Sequence, residues 1–182
     1  MTTSASAAIA ELDYEPVINN RELDDVLKAL TGRAGLPIDE LRLIDRVIHL
    51  DHHGGTKGKG TIVTEMDIHP DLWFFKCHFP GDPVMPGCLG IECLWQSLGL
   101  LLALKQIPGK GRALGVGNLK FFGEILPTAN KLQFHLDVNR FIHRNWAVAV
   151  ADGFVTVDGK TIYEAEQIKI GIFPETAESF PV

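Results

Sequence analysis

The chain has little cysteine. Cys77, Cys88 and Cys93 are three residues in 182, too few and too oddly numbered for a disulfide framework, and they lack the paired C-x-x-C spacing of a structural zinc site. Free thiols in a reducing cytoplasm are the expectation. Positive charge is also scarce: 17 Lys and Arg against 23 Asp and Glu give a net charge of -6, which gives no support for general nucleic-acid binding. The leading residues MTTSASAAIAELDYEPV contain no basic segment followed by an apolar one, and the longest apolar run, Leu98 to Leu104, is far short of a membrane span. Neither export nor a membrane partner is expected. No internal repeat is visible. His49, His52 and His53 lie near Asp51, but no carboxylate or cysteine spacing supports a metal there, so a solvated strand end is expected, with no metal and no cofactor. GKGRALGVGNLK lacks the Gly-Lys-Ser/Thr ending of a phosphate loop. Glycines in a strand that passes close to a helix account for it better.

Apolar residues are plentiful, 46% of the chain, enough for one domain with a substantial core. Residues 1–18 are small, polar and aperiodic, so they are expected to be disordered, with the domain running from 19 to 182. Leu23, Val26, Leu27 and Leu30 recur at helical spacing after Asn19 or Asn20 as cap, which predicts a short amphipathic helix over 20–30. LRLIDRVIHL, from Leu41 to Leu50, reads as a strand, as does Thr61 to Ile68. Leu132, Phe134, Leu136 and Val138 alternate with Gln133, His135, Asp137 and Asn139, the pattern of a strand with one wet face. Trp146–Val157 and Thr161–Phe173 continue it. Val157-Asp158-Gly159-Lys160 should join these two as a type I′ hairpin.

The chain is organised around WFFKCHFPGDPVMPGCLGIECLWQ, residues 73–96. His78 ends an aromatic, strand-like segment, and the prolines and glycines after it specify a tight loop. From Cys88 to Leu104 a helix apolar nearly all round should fill a core, ended by Pro108 and Gly109. Glu92 stands out in it. A carboxyl among apolar neighbours is costly unless paired or protonated, and such groups gather at functional sites. Gln96, four residues on, shares its face and can orient it. The bland alternatives are a carboxylate solvated at the start of the helix and a loop histidine capping a carbonyl.

PDLWFFKCHFPGDPVMPGCLGIECLWQ, with GKGRALGVG, LPTA, ADG and VDG, resembles the bacterial 3-hydroxydecanoyl-acyl-carrier-protein dehydratase/isomerase family, over about Leu36 to Phe173. The resemblance implies the α+β hot-dog fold, a long antiparallel sheet wrapped around one central helix. It also implies a homodimer with an active site at each end of the interface. By position His78 matches the catalytic histidine and Glu92 the catalytic acid, while Gly87 and Cys88 match the backbone donors to the thioester oxygen. Arg140, Arg144 and Lys169 match basic positions used by relatives to dock acyl carrier protein. Two departures stand out: the family's isomerising members carry aspartate where this chain has Glu92, and Asn145 replaces an arginine.

Loss of water from a 3-hydroxyacyl thioester requires removal of a C2 proton and protonation of the C3 hydroxyl. Imidazole titrates near neutrality and suits the first task, leaving the second to Glu92. Amides opening the helix would bind the enolate oxygen. The acyl chain needs an apolar tunnel, for which Leu94, Trp95, Leu98, Phe121 and Phe122 are candidates, as they are for plain core. Two other readings share the fold: an acyl thioesterase, and a non-catalytic acyl-binding domain of a synthase complex.

Overall fold

The computed structural model describes Ile18, Leu23, Asp25 and residues 36–174. The helix expected over 20–30 otherwise lies outside the described residues; Leu23 and Asp25 are helical, and Leu23 is fully buried.

A 3-10 turn, Asp39–Leu41, leads to β1 (Arg46–Asp51) and β2 (Thr61–Asp67). A short helix α1 (Trp73–Cys77) and the long helix α2 (Gly87–Leu104) come next. The rest is strand: β3 (Lys110–Gly115), β4 (Asn118–Phe121), β5 (Lys131–His143), β6 (Ala147–Val157) and β7 (Lys160–Phe173). All pairings are antiparallel, in the order β1-β2-β5-β6-β7-β3, with β4 also pairing β7. This sheet packs on α2, the hot-dog arrangement. α2 is long and apolar enough, with mean hydropathy 1.6 over its 18 residues, to match a membrane span by composition, yet most of it is buried within the protein. Glu92, Gln96 and Ser97 interrupt its apolar run without ending the helix. Leu94, Leu98, Leu101 and Leu102 are fully buried, each contributing roughly 2 kcal/mol by leaving water. Leu94 and Leu98 are therefore core, whereas Phe121 and Phe122 are exposed.

Ser97 ties α2 to the sheet at Thr64 of β2. Ser97 Oγ lies 2.6 Å from Thr64 Oγ1 and donates to the Cys93 carbonyl at 2.7 Å, so its burial leaves no hydroxyl unpaired.

Several local expectations change. Trp73–Cys77 is helical, not strand-like: five residues are too short to display a helical period, and Phe74 and Phe75 both turn into the core. α2 ends before Pro108, because Gln106 enters the left-handed region at φ 60° and donates to the Ala103 carbonyl. Gly109 and Gly117, on either side of β3, are pressed against Phe173 and Gln167 of β7. Contact with the helix comes instead from Trp95, whose indole N–H donates to the Gly115 carbonyl at 3.4 Å. The β6–β7 turn has positive φ at both Asp158 (47°) and Gly159 (84°), the type I′ requirement. On β5 the inward set is buried as expected, but His135, assigned to the wet face, is also buried, at 3% exposure.

Candidate functional site

α1 fixes the start of the site. Phe74 and Phe75 are buried, with rings edge-on at 4.6 Å, and Trp73 donates its indole N–H to the Glu40 carbonyl at 2.9 Å. His78 caps the helix, its N–H bonded to the Phe74 carbonyl. The chain then turns sharply. Phe79 and Asp82 exchange both backbone hydrogen bonds at 2.9 Å, with Pro80 and Gly81 between them and Gly81 at φ 87°. Proline followed by a glycine of positive φ is the type II turn pattern, so residue 81 needs glycine. The loop closes where the Val84 N–H reaches the His78 carbonyl at 2.8 Å, and the Met85 N–H bonds Ile125 across to the segment after β4.

This loop also sets the imidazole. His78 Nδ1 lies 2.9 Å from the Val84 carbonyl oxygen. A carbonyl can only accept, so Nδ1 carries the proton in neutral His78 and Nε2 holds the lone pair. Nε2 has no hydrogen-bond partner among the described residues. Sequence pattern singles out the histidine but not this carbonyl, because main-chain acceptors leave no trace in residue identity.

Pro86 precedes α2 without a side-chain cap. Among the described residues, the N–H groups of Gly87 and Cys88 have no partner, as helix geometry leads one to expect of the first turn. The place a Gly87 side chain would take is closed by the Phe121 ring, 3.2 Å away. Phe121 in turn stands edge-on to Tyr163 at 4.6 Å. Burial pushes the Tyr163 hydroxyl up to about 12, with the nearby Cys93 and Cys88 thiols adding to the shift. The Cys93 thiol is also raised, by its burial first and by the neighbouring Glu92 carboxyl second.

Glu92 is half-buried in the second turn of α2 rather than the first. Gln96 Nε2 donates to its Oε1 at 3.1 Å and to the Leu41 carbonyl at 2.8 Å, while Gln96 Oε1 accepts the Leu43 N–H at 3.2 Å. The amide is thus held by the segment before β1, a contact no spacing rule could supply. Among the described residues no hydrogen bond joins His78 to Glu92.

The three basic positions divide between strand and turn. Arg140 pairs with Val150, and Val150 with Lys169, so Arg140 and Lys169 share the sheet face away from α2, roughly 10 Å apart by two strand spacings. Arg144 lies in the β5–β6 turn, its N–H bonded to the Trp146 carbonyl at 2.8 Å. His49 and Asp51, weighed above as metal ligands, are engaged otherwise: His49 Nε2 lies 3.0 Å from Thr61 Oγ1, and Asp51 accepts the His53 N–H at 2.8 Å.

Solved structures of similar shape include a dehydratase and proteins assigned as thioesterases. The dehydratase heterocomplex ApeI:P of Xenorhabdus doucetiae aligns with a TM-score of 0.60 at 13% identity, over 90% of this chain and 94% of that one. A Ralstonia eutropha protein assigned as a thioesterase related to phenylacetic acid degradation gives 0.56 at 19% identity, over 81% and 98%. A Shewanella oneidensis protein likewise assigned as a thioesterase gives 0.52 at 13%, over 83% and 99%. At these identities the likeness establishes the hot-dog fold alone. The sequence itself goes further: residues 36–166, which carry His78, Gly87, Cys88, Glu92 and Gln96, match the family model for the FabA-like domain, and the chain belongs to that family.

Proposed function

We propose that the protein dehydrates 3-hydroxyacyl thioesters, delivered on the phosphopantetheine arm of an acyl carrier protein, to trans-2-enoyl thioesters. The observation that carries this reading is the His78–Val84 hydrogen bond. It leaves Nε2 with a free lone pair, the form a base needs to take the C2 proton. The electrons of the broken C2–H bond form the C2–C3 double bond as the C3–O bond breaks. Glu92, oriented by Gln96, protonates the departing hydroxyl, so the leaving group is water. The Gly87 and Cys88 N–H groups receive the charge that develops on the thioester oxygen.

The working unit is a homodimer. β3 and β4 each pair with β7 on one side, and Phe79, Phe121, Phe122 and Leu126 are exposed near the site, between 41% and 56% of their surfaces. A second copy meeting this edge would cover them, in keeping with the missing His78–Glu92 contact if each active site draws the two groups from different chains. Arg140, Arg144 and Lys169 supply positive charge for an acidic carrier protein.

Purified protein given 3-hydroxyacyl thioesters should form enoyl product, and His78→Ala should lower turnover by roughly two to four orders of magnitude with the fold unchanged by circular dichroism. Release of free thiol without enoyl product would favour the thioesterase reading. Mixing inactive His78→Ala with inactive Glu92→Ala under conditions of subunit exchange should restore part of the activity. No recovery despite proven exchange would place both groups in one chain.

A further inference from the structure

The sheet face away from α2 holds a hollow whose lining differs in chemistry from the His78 and Glu92 region. Strand register lines up His49, Val63, His135, Phe154 and Glu164 across the sheet, and beside them Thr61, Asp137 and Asp152. Register breaks fall together here, between Val138 and Arg140 on β5 and between Ala151 and Gly153 on β6. Bulges re-aim side chains and open the pleat. Asn139 and Asp152, which occupy the breaks, help line a cavity of about 410 Å³.

The chemistry of the hollow is specific. His135 stands between Val63 and Phe154 of the neighbouring strands, its ring stacked on that of Phe154 at 4.3 Å and 7°. His135 is 3% exposed and neither ring nitrogen has a hydrogen-bond partner. Burial holds its pKa near 4, so the ring is neutral at neutral pH. Asp137 is fixed through Oδ2, which accepts the Thr56 N–H at 3.0 Å, while its Oδ1 is buried without a partner. Asp152 is fixed by the Gln167 N–H at 2.8 Å. Glu164 and Glu166 complete the wall, and no lysine or arginine lines it.

Buried polar atoms without partners call for one. Four carboxylates repel an anion or a fatty acyl carboxylate and attract a cation. A bare metal ion is a poor match, since among the described residues no three His, Cys, Asp or Glu side chains converge as ligands would. We propose that the hollow binds a small organic cation with an apolar body, an aromatic or alkyl amine whose ammonium sits against Asp137 and Asp152 and whose body packs against the Phe154 ring. This site is independent of the dehydratase reading.

The test is calorimetric titration of the full-length protein near neutral pH with 2-phenylethylamine, and with 2-phenylethanol, which matches it in shape without the charge. One amine should bind per chain, at least tenfold more tightly than the alcohol. Asp137→Asn and Asp152→Asn should each weaken amine binding severalfold while the melting temperature changes little, and the His135 ring proton resonances should shift with saturation. Absence of amine binding up to about 20 mM, equal binding of the alcohol, binding indifferent to both substitutions, or His135 resonances that do not move would each overturn the proposal.

Discussion

Gln96 donates its amide to Glu92 while the segment before β1 holds that same amide on both its faces, at the Leu41 carbonyl and the Leu43 N–H. The orientation of one carboxyl is therefore linked to the path of a segment more than fifty positions away in the chain. Gln96 is only 5% exposed, so water cannot readily replace it.

Gln96→Leu tests that link. The substitution fills similar space but removes the bond to the Leu41 carbonyl and leaves the buried Leu43 N–H without its partner, the latter at about 1–3 kcal/mol. The urea midpoint should fall. If the amide also positions Glu92 for proton delivery, kcat should drop with little change in KM. A variant that is destabilised yet turns over normally would reduce Gln96 to a structural clamp.

Gly90 has a different reason for being glycine. A Cβ there would lie 2.1 Å from Tyr163 Cε2, and Tyr163 is itself 2% exposed and braced by Phe121. Alanine would gain up to about 1 kcal/mol of helix propensity, but overpacking of this kind costs about 1–3 kcal/mol. Gly90→Ala should therefore lower the melting temperature by several degrees. The loss should shrink in a Tyr163→Ala background, where the clash is gone. Equal losses in both backgrounds would show that the ring is not the cause.

The two contacts differ in how far the sequence disclosed them. The i to i+4 spacing of Glu92 and Gln96 was sufficient to pair them, and the long apolar helix with alternating strands was sufficient for the fold class. Strand periodicity carried the inward face of β5, but it also assigned His135 to water. Period 2 reports only which face a side chain takes, and His135 is buried on the outer face by its stack on Phe154, a residue nineteen positions on. The Val84 carbonyl behind His78 and the Leu41–Gln96 bond were illegible for a related reason: both use main-chain acceptors, and every residue has one.

His135 also makes stability depend on pH. Its pKa falls from 6.5 to about 4 on folding, first through burial and then through His49. The unfolded chain takes up this proton first, so its contribution is intact above about 6.5, declines as pH falls, and is fully lost below about 4. Between pH 7 and pH 5 this amounts to about 2 kcal/mol. His135→Phe preserves the stack on Phe154 without a titrating group. Urea unfolding at the two pH values should show the wild type losing about 2 kcal/mol more than the variant. Parallel losses would mean that His135 remains protonated, or becomes so, without cost in the folded protein.

The acid at position 92 also bears on isomerisation of the dehydrated product. Converting a trans-2 to a cis-3 enoyl thioester requires loss of a C4 proton and return of one to C2, with the acyl chain held so that C4 comes near the base. Glutamate is one methylene longer than aspartate, and a displacement of about 1 Å can cost on the order of a hundredfold in rate. Gln96 accentuates the difference, since its bonds to Leu41 and Leu43 fix the point from which Glu92 is held. An aspartate there would either withdraw from the amide or withdraw from the substrate. The wild-type protein should therefore dehydrate 3-hydroxyacyl thioesters and isomerise the product poorly, and Glu92→Asp should raise the cis-3 fraction even if total turnover falls. Separation of the two enoyl products by chromatography, for both proteins and several chain lengths, decides it. Abundant cis-3 product from the wild type, or a fraction unmoved by Glu92→Asp, would assign isomerisation to the shape of the acyl tunnel instead of the length of the acid.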